Sequence, residues 1–322
     1  MDGISVGKVF IWSMVALAVG LASADRAMGA DAPARVRIAY ASRSSSAMPL
    51  YMALQKGYFK AEGLDVEIIQ MNPRLGATAV VNGDVAFATP FTSTFRAILQ
   101  GFPMKLVFIN LKKGPYYVMV RPEIKDVQQL KGKKIGVATI RGTDQLVAEE
   151  MLQAKGFNPS QLQAVAIGDG PLRMQALISG AVDAISVAPP HDLMLKKMGY
   201  PALVGPPEVG LPSAGMLTSV RLIKENPQLV KRTLKALLRS HRYILDNRQE
   251  TIQTLIKWLP QPVEIAEHSY DSELKTLSRD GIMTDAEIEG IIARVGDKKR
   301  PLDEVRDFSF ARQAMKELDA GK

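Results

Sequence analysis

The 322-residue chain has no cysteine, so disulfides, a zinc–thiolate site, a thiol nucleophile and a lipid-modified N-terminal cysteine are all excluded. It has only three histidines, His191, His241 and His268, far apart in sequence. No G-x-S-x-G elbow, H-E-x-x-H helix or Walker loop occurs, and the Gly-x-Gly at Gly168–Gly170 runs into Pro171 and is no dinucleotide fingerprint. A hydrolase or nucleotide enzyme therefore lacks its parts. Aromatic residues make up 6%. The charge is +8 and the pI about 9.5. The basic residues are nevertheless scattered, with only short runs at Lys131–Lys134 and Lys298–Arg300, and without a basic stripe or aromatic interleaving nucleic-acid binding is not expected.

Long apolar runs are also missing, with one exception. Val9 to Leu21 is continuous and mostly apolar, follows the single positive charge Lys8, and ends at Ala22-Ser-Ala24. It is shorter than the roughly 20 residues a membrane span needs. Length and flanks read as a secretory signal peptide over residues 1–24, with Ala30-Asp-Ala32 as a second cleavage pattern. Residues 25–34 follow as a polar linker, and the mature protein is expected in the periplasm.

What the chain does contain, it contains twice. Ile38-Ala-Tyr-Ala41 returns as Ile135-Gly-Val-Ala138, Lys56-Gly-Tyr58 as Lys155-Gly-Phe157, and Val81-Asn-Gly83 as Ile178-Ser-Gly180. Leu64–Ile68, Pro73-Arg74 and Gly101-Phe-Pro103 return, in the same order, near Leu162, Pro171 and Gly199. Each copy reads as an apolar strand, a hydroxyl-bearing loop, an amphipathic helix stopped by glycine, a second strand, a second helix, and a short strand running into proline. Alternating strands and helices predict an α/β fold with mainly parallel sheets, here two similar lobes. Strand-like runs at Tyr116–Val120 and Met216–Val220 lie between and after the copies. They predict a two-strand hinge, with lobe one at 35–118 and 218–322 and lobe two at 119–217. The last third is helical and outside the duplication. Asn226 caps one helix, Arg248–Trp258 forms another, and Thr284-Asp-Ala-Glu287 is a capping box; these helices should pack on lobe one.

Ligands of open α/β sheets bind beyond the carboxyl ends of the strands. That rule points to four loops: Ser42–Ala47, Thr89–Thr92, Thr139–Thr143 and Ala188–His191. Candidate ligand-binding residues are Arg43, Ser44, Ser45, Ser46, Thr89, Pro90, Thr92, Tyr116, Arg141, Gly142, Thr143, Pro189 and His191. Helix N-termini at these loops favour an anion, and Arg43 and Arg141 hold near-equivalent places to grip one. The alternatives are plain: Ser44, Ser45 and Thr143 as helix caps, both arginines as solvated charges, His191 as a structural histidine, and Tyr116 and Tyr117 as hinge packing. Arg74 and Arg173, in helix first turns, read as surface residues.

Ala53-x-x-Lys56-Gly-Tyr-Phe59-x-x-Glu62-Gly-Leu64-x-Val66, Gly83-Asp-Val-Ala86 and Gly180-Ala-Val-Asp-Ala184 resemble the nitrate/sulfonate/taurine-type solute-binding proteins of ABC importers. That group also contains the fungal thiamine-pyrimidine synthase. The resemblance, over about Arg35–Val220, implies a type II periplasmic binding fold and a small anionic solute held between the lobes by the four loops. It implies no enzymatic activity and no cofactor or metal. It further implies a monomer whose partners are the permease and ATPase subunits at the inner membrane. The other classes are a synthase-like enzyme, for which the resemblance requires a cysteine-rich motif that is absent, and a sensor for a membrane receptor.

Overall fold

Strand β1 (Ala34–Tyr40) starts by alternating, with Arg35 and Arg37 outward and Val36 and Ile38 inward, then buries Ile38, Ala39 and Tyr40 in succession. A run buried on both faces suits a central strand, and β1 is one. It pairs in parallel with β2 (Leu64–Gln70) from Ala34↔Leu64 to Tyr40↔Gln70, and with β3 (Phe87–Pro90) on its other side. The computed structural model describes residues 32–206, 210–296, 298 and 300–321. The apolar run Val9–Leu21 and the cleavage patterns at Ala22–Ala24 and Ala30–Ala32 fall wholly or partly outside these residues. All elements lie in the unit Pro33–Lys322.

The remaining strands are β4 (Met104–Leu111), β5 (Tyr117–Val120), β6 (Lys134–Val137), β7 (Gln163–Ala166), β8 (Ala184–Val187), β9 (Ala202–Val204) and β10 (Ala214–Ser219). They form two five-stranded sheets of order β2-β1-β3-β10-β4 and β7-β6-β8-β5-β9. In each, the first three strands pair in parallel and the fourth is antiparallel to both its neighbours, so the fifth again runs with the first three. The fourth places are exchanged. β5, which precedes the second run of strands, sits in the second sheet, and β10, which follows it, sits in the first.

The chain therefore crosses between Leu111 and Tyr117, and again between Val204 and Ala214. This moves the expected crossings: residues 117–118 belong to the second sheet and 214–217 to the first. The reason is local. Gly114 and Pro115 interrupt the ladder before Tyr117, and Pro212 does so before Ala214, so each strand begins beyond its breaker. Val220 likewise leaves the strand and starts the helix Val220–Glu225, whose Leu222 N–H is taken by Ser219 Oγ at 3.1 Å.

Among the α-helices and strands, the helices Met48–Gln55 and Thr143–Ala154 come next after β1 and β6, which hold the same place in the two strand orders. Gly57 and Gly156, at φ 67° and 79°, follow their ends in the left-handed conformation glycine adopts without strain. In the tail, Asn226 Oδ1 accepts from Leu229 N at 3.0 Å and opens the helix Pro227–Asp246. Leu234, Leu237, Leu238 and Ile244 form its buried face against Ile38, Met48, Phe59 and Phe108 of the first sheet and its helices. Burying each such side chain stabilises by about 1.5–3 kcal/mol. The helical tail is thus part of the first lobe's core.

Candidate functional site

A cleft of about 480 Å³ opens where the carboxyl ends of the parallel strands of the two sheets face each other. Six sequence-distant contacts bridge its walls or margins. Thr92 Oγ1 and Thr143 Oγ1 lie 2.6 Å apart, Ser45 Oγ donates to the Pro189 carbonyl at 2.8 Å, and Gln70 Nε2 donates to Asp169 Oδ2 at 3.3 Å. Arg96 Nη1 donates to the Arg141 carbonyl at 2.8 Å, and His268 Nε2 meets Asp192 Oδ2 at 2.7 Å. Arg294 holds Glu150 through two nitrogens, with Nε at 2.9 Å.

Of the candidate residues, Ser44, Ser46, Thr89, Pro90, Thr92, Tyr116, Gly142, Thr143 and His191 line the cleft. Ser45 and Pro189 stand behind its surface, joined to each other. Arg43 and Arg141 are not on it. Arg43 turns outward, donating from Nη2 to the Trp258 carbonyl at 2.8 Å, and borders a separate pocket of about 260 Å³. Arg141 takes a left-handed backbone, φ 59°, with its N–H on Gln145 Oε1. The expected two-arginine clamp is therefore not formed: equivalent sequence positions do not impose equivalent side-chain directions. Nor do the hydroxyls cap helices. Thr143 is the first residue of its helix, Ala47 precedes Met48, and Ser44 and Ser46 bond to each other at 2.8 Å.

The arginine that does line the cleft is Arg173, which the sequence placed on the surface. It is 7% exposed, in the helix Gly170–Ile178. Its Nη1 lies 2.6 Å from Asp144 Oδ2, and the same oxygen accepts the Ala138 N–H at 2.6 Å. Burial pushes the Asp144 pKa up, while Arg173 and the Ala138 N–H pull it down. An oxygen taking two short N–H bonds, one from an arginine that never loses its proton, is a carboxylate oxygen. Arg173, the one guanidinium among the described residues of the cleft wall, is thus already balanced by Asp144.

His191 rests its ring on Gly170, where even a Cβ would come within 2.3 Å of Cε1. Burial, then the Arg173 charge, lowers its pKa from 6.5 to about 4, so the imidazole is neutral. Nδ1 lies 3.3 Å from the Ala188 carbonyl, which can only accept. The proton therefore sits on Nδ1, and Nε2 is an acceptor.

Three further lining residues carried no local signal in the sequence. Asn110, 1% exposed at the end of β4, has its Oδ1 unpartnered. Asp144 is the ion-pair partner above. Glu273, 1% exposed, follows the helix Val263–Ser272 and meets Ser45 Oγ across 228 positions of sequence. Burial raises its pKa from 4.5 to about 8. Among the described residues, no group of three or more histidine, aspartate or glutamate side chains could hold a metal ion.

Residues 44–251 match the family described as NMT1/THI5 like. The chain belongs to that family. The riboflavin-binding protein RibY of Chloroflexus aurantiacus is 28% identical over 227 residues, 66% of this chain. The chain spans 63% of that protein's length. The 4-amino-5-hydroxymethyl-2-methylpyrimidine phosphate synthase THI13 of Saccharomyces cerevisiae is 28% identical over 239 residues, 66% of this chain and 68% of that one. The alkanesulfonate-binding protein SsuA from Xanthomonas axonopodis pv. citri, bound to MOPS, superposes with a TM-score of 0.70 at 18% identity, covering 81% of this chain and 91% of that one. At that identity it shows the fold alone. The fold and family resemblance drawn from the sequence both stand. No helix of the described residues is long and apolar enough to cross a membrane.

Proposed function

We propose that the protein is the solute-binding component of an ABC importer, exported by its N-terminal segment and capturing a small solute between two lobes. The lobes are the two sheets with their helices, and the matching strand orders support an internal duplication. The observation that carries the reading is the cleft itself. It is walled by loops from both sheets and bridged by pairs such as Thr92–Thr143, so a solute inside would touch both walls at once. A ligand with contacts to both lobes stabilises their closed arrangement by its differential affinity. Its volume falls within the roughly 300–1,000 Å³ of small-molecule sites.

A thermal-shift screen of small solutes, followed by small-angle scattering with each hit, tests this. A hit should raise the melting temperature saturably and reduce or hold the radius of gyration. Melting that no solute moves would count against solute capture. The THI13 relative favours a second reading, a pyrimidine-phosphate-forming enzyme. Formation of 4-amino-5-hydroxymethyl-2-methylpyrimidine phosphate by the purified protein would decide for it. The anionic-solute expectation rested on Arg43 and Arg141, and with neither on the cleft it is not carried forward.

A further inference from the structure

Hydroxyls that can donate or accept line much of the cleft, and beside them stand several groups that act as acceptors. Asn110 Oδ1 is buried and unpartnered. His191 offers Nε2. Asp169 presents a carboxylate that meets only an amide of Gln70 across the cleft and the Leu172 N–H. Glu273 adds a second carboxyl. Arg173, the one cationic side chain among the described residues that line the cleft, is held through Nε and Nη1 by Asp144 and by the Ser186 and Asp169 carbonyls. An oxyanion set against Asn110 Oδ1 and the Glu273 carboxyl would meet acceptors, which is costly in a buried site.

Glu273 and Asn110 are brought to one wall by the backbone. The turn after Glu273 docks on the end of β4: Ser278 N donates to the Asn110 carbonyl at 3.0 Å, and Leu277 bridges Leu111. Ser45 Oγ touches two acceptor groups, the Pro189 carbonyl and the Glu273 carboxyl, yet its hydroxyl has one proton. The carbonyl can only accept. Both contacts are satisfied when Ser45 donates to Pro189 and Glu273 itself carries a proton toward Ser45.

Resting on the solute-binding reading, we propose that the cleft selects a solute with a cationic, N–H-donating edge, an amidinium or ammonium, set against Glu273 and Asn110, and that its binding expels the Glu273 proton. The groups facing Glu273 agree. Ser45 and Tyr116 are neutral, and Asp192, whose charge opposes ionisation of Glu273, is itself held by His268 and Lys196. Among the described residues, no cation is found acting on Glu273. A positively charged edge supplies that missing charge, Glu273 ionises, and its proton passes to solvent. Burial of the neutral acid fits the pKa of about 8.

Benzamidine and benzoate test this, being planar forks of one shape and opposite charge. Calorimetry at pH 7 should show benzamidine binding at least about tenfold more tightly than benzoate, the size of one charge-assisted bond. In two buffers of different ionisation heat, the wild-type protein should release close to one proton per benzamidine bound. Glu273→Gln should remove both the preference and the release, and Asn110→Leu should weaken benzamidine by about tenfold while leaving the release in place. Tighter binding of benzoate would overturn the inference and leave solute capture standing. Benzamidine binding without proton release, or unchanged by Glu273→Gln, would overturn it too. Saturable binding of neither probe would also overturn it, and the wider solute screen would then judge solute capture separately.

Discussion

The Arg173 guanidinium lies 2.6 Å from the Asp144 carboxylate, with the two side chains only 8% and 5% exposed. Removing one partner leaves the other charge buried and unpaired, which typically costs about 3–5 kcal/mol. Arg173→Met should therefore destabilise by that amount in urea unfolding. Adding Asp144→Asn should restore a large part, because the stranded charge goes. Additive losses in the double variant would show that the two groups do not act as a pair.

Thr92 and Thr143 satisfy each other's hydroxyls across the cleft, both buried. Thr143→Val should cost about 1–3 kcal/mol by stranding the Thr92 hydroxyl, while Thr92→Val with Thr143→Val should cost less than the single change. Chemical denaturation of the three proteins decides this.

Glu273 makes stability depend on pH in a direction unusual for a carboxyl group. Its folded pKa, about 8, lies above the ordinary 4.5, so the folded protein holds a proton the unfolded chain has lost. Its contribution is fully present below pH 4.5 and is lost as pH rises through about 8. Each unit of difference is worth about 1.4 kcal/mol, so the loss is a few kcal/mol. Melting temperatures of Glu273→Gln relative to wild type should improve steadily from pH 5 to pH 8. A constant difference would mean that Glu273 is ionised throughout.

His191 occupies the space that a Cβ at Gly170 would take. Gly170→Ala should therefore push the ring off its seat at a cost of about 1–3 kcal/mol. The His191 resonance in a proton NMR titration should move from about 4 toward its ordinary 6.5 as the ring gains water. An unmoved titration would show that the helix shifts instead of the ring.

Arg43 is exposed and directed at Trp258. Arg43→Ala should leave benzamidine affinity unchanged and stability within about 0.5 kcal/mol. A clear loss of affinity would return Arg43 to the site.

By itself, the sequence determined whatever depends on neighbours a few positions apart. Asn226 and Thr284 cap their helices because the accepting oxygen and the donated N–H are three residues apart. Gly57 and Gly156 end theirs because a left-handed residue is needed there. Strand, helix and loop order follow from the same short-range periodicity, and so does the placing of four loops at the carboxyl ends of strands. Only the tertiary structure decided which side chains those loops turn inward. Arg43 and Arg141 sit at matched positions in their loops, yet Arg43 leaves for a carbonyl 215 positions away, while Arg173 folds inward because Asp144 waits 29 positions earlier on another helix. Glu273 reaches the cleft because a helical tail outside the duplication packs on the first sheet and delivers it to Ser45, 228 positions back. Side-chain direction and protonation are set by burial and by partners distant in the chain. No local pattern encodes them.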